Sequence, residues 1–138
     1  MDKYEFNIKL DQIKKLAGKK DFKTAAKIAK GMDWRKIKDW ATLSLIINIQ
    51  EASGDNEEAK DIAILAYNRN LGGRRLVYKL TELFIKLGEF SDAEDLYKEY
   101  ARMSQHDVNK YILLYKLRKA QGATIEKLID ILEEYKDH

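Results

Sequence analysis

The sequence predicts an all-α protein assembled from about four helix–turn–helix units. Three observations carry that prediction. Apolar residues recur at spacings of three and four over most of the chain, the period of an amphipathic helix. A turn motif recurs at a step of 34, with alanines at 25, 59 and 93 and glycines at 54, 88 and 122. Proline is absent from all 138 residues, which permits long uninterrupted helices. The step divides the chain into units 6–39, 40–73, 74–107 and 108–138. The length suits one compact domain with a real core, read here as 1–138.

The first unit turns at Lys20-Asp21-Phe22-Lys23-Thr24-Ala25, with lysine where the other turns carry glycine. Gly31 shortens its second helix, and Asp33 is placed to recap the chain before Trp34. In the second unit Trp40, Leu43, Ile46, Ile47 and Ile49 form a helix that Gly54 closes. Asp55 and Glu58 cap the return helix, which packs through Ala59, Ile62, Ala63 and Ala66. Small alanines at the crossing let two backbones approach closely.

The third unit begins with Arg74 to Leu87, apolar at Leu76, Val77, Leu80, Leu83, Phe84 and Leu87. Gly88 ends it. Ser91-x-x-Glu94 reads as a capping box for a helix running to about Met103, with Ala93, Leu96, Tyr97, Tyr100 and Ala101 inside. In the fourth unit Lys127 stands where the 34-step places the turn alanine. Ile125, Leu128, Leu132 and Tyr135 keep a helical spacing over Thr124 to Lys136.

The composition excludes much chemistry. There are no cysteines, so no disulfide, thiol nucleophile, iron–sulfur cluster or cysteine zinc site. Of two histidines, His106 lies between units beside Asp107, which reads as a helix cap rather than part of a catalytic relay, and His138 is the last residue. Leu71-Gly72-Gly73-Arg74-Arg75 lacks the spacing and preceding strand of a phosphate loop. No catalytic residue, metal site or cofactor is expected, and the chain reads as a non-enzyme. The N-terminus lacks an apolar run of signal-peptide length. The most apolar stretch, 41–49, falls far short of the ~20 residues that cross a bilayer. The expectation is a cytoplasmic protein with no membrane insertion.

A 34-residue helix–turn–helix unit with Gly-[DEN]-x-x-[DET]-Ala at its turn resembles the tetratricopeptide repeat. The match is best over Leu80 to Ala93 and covers essentially the whole chain after Tyr4. The chain is similar to the N-terminal repeat regions of longer bacterial tetratricopeptide proteins, which implies a piece of a longer array. It lacks the proline that usually closes a unit. The resemblance implies a right-handed α-α superhelix, a solenoid whose first helices line a concave groove for an extended peptide or a partner helix. Carried over by repeat position, the groove residues are Asn48, Glu51, Arg75, Tyr78, Glu82, Asn109, Ile112, Lys116 and Lys119. The carboxylate-clamp pattern of one subtype is not met, because its positions hold Leu10, Lys14, Leu45, Arg75 and Lys79.

Net charge is +3, unevenly spread: +6 over 1–39, −3 over 40–73, −1 over 74–107 and +1 over 108–138. Lys14, Lys19, Lys20, Lys23, Lys27 and Lys30 form a basic patch in the first unit. The expected function is a non-enzymatic scaffold for a protein or peptide partner. The alternatives are a module binding nucleic acid or an acidic partner through the basic unit, or an accessory domain of a larger protein. Nucleic acid is disfavoured because no aromatic or arginine residues interleave the lysines. Uncovered solenoid ends would permit self-association.

Overall fold

A computed structural model describes residues 2–35 and 37–138. Eight α-helices and no strand occur among them: α1 (Lys3–Gly18), α2 (Phe22–Lys30), α3 (Trp40–Ala52), α4 (Asn56–Asn68), α5 (Gly73–Lys86), α6 (Phe90–Met103), α7 (Asn109–Ala120) and α8 (Ile125–Asp137). Consecutive helices pair as α1/α2, α3/α4, α5/α6 and α7/α8. No helix among the described residues is long and apolar enough to cross a membrane.

The turns inside the four pairs share one hydrogen-bond pattern. Asp21, Asp55, Glu89 and Ala123 each donate a backbone N–H over 2.9 Å to the carbonyl five residues back, at Leu16, Gln50, Phe84 and Arg118. The residue before each donor has positive φ: Lys20 at 62°, Gly54 at 92°, Gly88 at 72° and Gly122 at 83°. This is the Schellman closure, which uses a left-handed residue to satisfy the last carbonyls of a helix. Lys20, a departure in sequence, is thus no departure in backbone.

The chain forms two compact units, residues 1–71 and 72–138. In the first, α2 packs against α1 and α3, and α3 against α4. Ala25, Ala29, Ala59, Ala63 and Ala66 are fully or almost fully buried where these helices cross, beside Ile13, Leu43, Ile46 and Ile47. As expected, α2 is short. Asp33, however, starts no helix. Its carboxylate accepts from the Arg35 backbone N–H at 3.0 Å and from the Arg35 side chain at 2.9 and 3.0 Å, and α3 begins only at Trp40 under an Asp39 cap. Trp34 explains the detour. It is 5% exposed, donates its indole N–H to the Ala29 carbonyl at 2.9 Å and meets Phe6 edge to face. The Arg69 guanidinium holds the Ile37 carbonyl at 2.6 Å and so ties this segment to the end of α4.

In the second unit, α7 lies against both α5 and α6. Leu76, Leu80, Leu83, Phe84, Ala93, Leu96, Leu113 and Leu117 form its core. Leu87, Tyr97 and Ala101 sit only half-buried at its edge. The capping box is not formed: α6 starts at Phe90 with Glu89 as the N-cap, without a side-chain capping hydrogen bond, which puts Ser91 inside the first turn. Glu94 instead grips Arg118 of α7 with both oxygens, at 2.7 and 2.9 Å.

A one-residue register change marks the fourth pair. The second helices start at 22, 56, 90 and 125, so the last step is one longer. The extra residue, Ala123, lies between the left-handed Gly122 and the cap Thr124, whose hydroxyl accepts from the Lys127 N–H at 3.3 Å. The residue matching Ala93 is therefore Leu128, half-buried, and Lys127 is exposed. No residue of α8 is buried: Ile125 is exposed, and Leu132 and Tyr135, though beside α7, stay largely exposed rather than forming a core.

Candidate functional site

The predicted groove residues fall in both units. Asn48 is exposed on α3, and Glu51, half-buried, is held by interactions near the end of that helix. The remaining seven lie on α5 and α7, where three form one recess, two pair with each other and two lie elsewhere.

The recess, about 490 Å³, is lined by Arg75, Tyr78 and Asn109 together with Arg74, Lys79, Tyr100 and Asp107. Its floor is aromatic: the Tyr78 and Tyr100 rings meet edge to face with centroids 5.2 Å apart. The Tyr100 hydroxyl donates to Asp107 at 3.1 Å, and Asp107 also accepts from the Asn109 backbone N–H at 2.9 Å. That N–H, with help from Tyr100, holds the Asp107 carboxyl below the usual aspartate range. Burial raises the Tyr100 hydroxyl above its ordinary value, and Asp107 adds to the rise. Asp107 is thus a committed acceptor that orders the entry to α7, although the N-cap position itself falls on Val108, one residue later than the sequence reading placed it.

The rim is cationic. Arg74 and Arg75 occupy the first turn of α5, which has no acidic residue and no side-chain cap. The dipole of a helix opposes positive charge at that end, so the two guanidiniums reinforce a local positive field. Arg74 acts on Asp107. Arg75 has no carboxylate partner among the described residues.

Glu82 and Lys116, 34 residues apart, form an ion pair at 2.8 Å, with Lys79 at 3.7 Å from the other Glu82 oxygen. The Lys116 ammonium also stands 5.5 Å from the centre of the Tyr78 ring. Burial alone would lower the Lys116 pKa, but the Glu82 hydrogen bond and charge outweigh it and raise it. Ile112 lies elsewhere, with Tyr111, Tyr115, Leu132 and Tyr135 around a recess of about 240 Å³ between α7 and α8. Lys119 stands over Tyr115, 5.8 Å from the ring centre.

Sequence reasoning missed Arg74 and Tyr100 as part of this recess. Tyr100 was legible only as a core residue. The available signal was that a buried tyrosine needs a partner for its hydroxyl, and Asp107 lies seven residues on, just past the end of α6.

The basic patch sits on the first unit. Lys14, Lys19, Lys20, Lys23, Lys27 and Lys30 are all exposed. Lys23, Lys27 and Lys30 border a shallow recess of about 320 Å³ that also touches Ala26, Gln50, Ser53 and Asp55. Lys30 pairs with Asp55 at 3.1 Å. No aromatic side chain lines this recess. No group of three or more His, Asp or Glu side chains able to hold a metal ion occurs among the described residues. Comparison of the chain with protein-family models, curated proteins and solved structures finds no match.

Proposed function

We propose that the chain is a non-enzymatic interaction module of the tetratricopeptide kind, working in the cytoplasm, that holds an extended acidic peptide on the α5/α7 surface of its second unit. The stacking of its pairs as a right-handed superhelix belongs to the same reading. The observation that carries it is the recess framed by Arg75, Tyr78 and Asn109. It combines a cation without a carboxylate partner, an aromatic floor and an amide that can read a peptide backbone.

Arg75 receives a peptide carboxylate, Asn109 bonds its main chain, and Tyr78 packs against a side chain. Glu82 occupies Lys116 and Lys79 in the absence of ligand, so it competes with an incoming carboxylate for those cations. A panel of labelled acidic peptides, scored by fluorescence anisotropy, tests this reading. Arg75→Glu should weaken the best binder at least tenfold, in line with about 1.5–3 kcal/mol for a charged hydrogen bond. Lys119→Glu, outside the recess, should change affinity less than twofold. Equal losses from the two substitutions would mean that only overall charge is being read, and the site would be wrong.

A further inference from the structure

We propose that the outer face of α8 docks α1 of a second copy of this chain, so that the protein assembles head to tail. The inference is independent of the peptide reading and begins with a mismatch between matched helix faces. In α6, Glu94 and Tyr97 face α7: Glu94 binds Arg118, and Tyr97 senses the Arg118 charge. In α2 the matching position to Glu94 is Ala26, whose carbonyl accepts from Gln50 of α3 at 3.1 Å. In α2 and α6, this face of the second helix is therefore where the first helix of the next pair packs.

On α8 the positions matching Phe90, Glu94 and Tyr97, in the 35-residue register, hold Ile125, Ile129 and Leu132, at 75, 45 and 48% exposure. Ile129 and Leu132 are more apolar than Glu94 and Tyr97, yet all three side chains stay exposed, Leu132 at the edge of the α7/α8 recess. Beside this ridge runs an acidic row, Glu126, Asp130, Glu133 and Asp137, at spacings of four, three and four. The row selects the occupant. Two α8 ridges brought together would set acid against acid. A basic first helix with apolar exposure fits instead, and α1 is one. It carries Lys3, Lys9, Lys14 and Lys15 against Glu5 and Asp11, and exposes Tyr4 and Ile8. Its Leu16 matches Gln50 and Arg118, through which α3 and α7 grip the helix before them. Such a contact joins two different surfaces, so each bound copy presents a free α8 or α1 face to a further copy.

Sedimentation velocity on the 138-residue chain tests the proposal. At low salt the mean mass should climb from 16.1 kDa past that of a dimer as concentration rises, and fall back at high salt. Ile129→Asp blocks the α8 face and Ile8→Asp blocks the α1 face. Each variant alone should remain monomeric, with helicity by circular dichroism confirming its fold. An equimolar mixture of the two should form a one-to-one dimer and nothing larger, because one open face of each kind remains. A second pair, Glu126→Lys with Asp130→Lys and its rescue by Lys9→Glu with Lys15→Glu, checks the charge match without touching the apolar ridge. A wild type that stays monomeric at every concentration would overturn the proposal and leave the ridge to a different partner. So would dimers in Ile8→Asp alone, which would mean α8 pairing with itself.

Discussion

Lys20 holds a left-handed backbone that glycine holds at the three matching turns. A side chain there costs about 1–2 kcal/mol. Glycine would give back about 0.4–1 kcal/mol through a looser unfolded chain. Lys20→Gly should therefore stabilise the protein by about 0.5–1 kcal/mol, read as a higher urea midpoint. Asp55 makes a second prediction at this scale. The backbone N–H of Glu58, then the Lys30 ammonium, hold its pKa below the ordinary aspartate value. Its contribution is full above about pH 4 and is lost as pH falls through the lower folded value. Asp55→Asn keeps an acceptor at the cap but cannot titrate. Its stability should fall less steeply than wild type below about pH 4, as followed by urea unfolding at successive pH values.

Among elements, the fourth pair separates what local signals could show from what they could not. The turns were legible because a left-handed residue, a cap and a small crossing residue all lie within six positions. Gly122 preserved the 34-step, so the extra residue after it left no mark on the spacing, and Lys127 looked like the crossing residue. Only the packing shows that Leu128 takes that place. Leu128→Ala should cost about 1 kcal/mol, whereas Lys127→Ala should change stability by less than about 0.5 kcal/mol. The reverse order in thermal denaturation would restore the original register. The detour at 31–39 was half legible. Gly31 signalled the end of α2, but Trp34 gave no sign that it would fold back on Ala29 and Phe6. The candidate site has the same character. Arg75, Tyr78 and Asn109 could be placed by repeat position, while the Glu82–Lys116 pair needed two helices to be brought side by side. Glu82→Gln leaves Lys116 without its carboxylate, and an acidic peptide should then bind severalfold tighter by the anisotropy assay above.

For the whole molecule, burial peaks in the middle of the chain and falls off towards both ends. Five residues of α3 and six of α5 are buried, against none of α8. Amide exchange in dilute solution should be slowest in α3 and α5 and fastest in α8, since opening costs least where little apolar surface is covered. Uniform protection across all eight helices would contradict this gradient. The two units also differ in a way that gives each its own optical signature. Both tryptophans, Trp34 and Trp40, belong to residues 1–71, while six of the eight tyrosines belong to residues 72–138. Light absorbed only by indole therefore reports the first unit alone, and far-ultraviolet dichroism reports both. If the fluorescence and dichroism melts superimpose, the two units unfold as one cooperative body, and if they separate, the Trp34 environment becomes a private clock for the first unit.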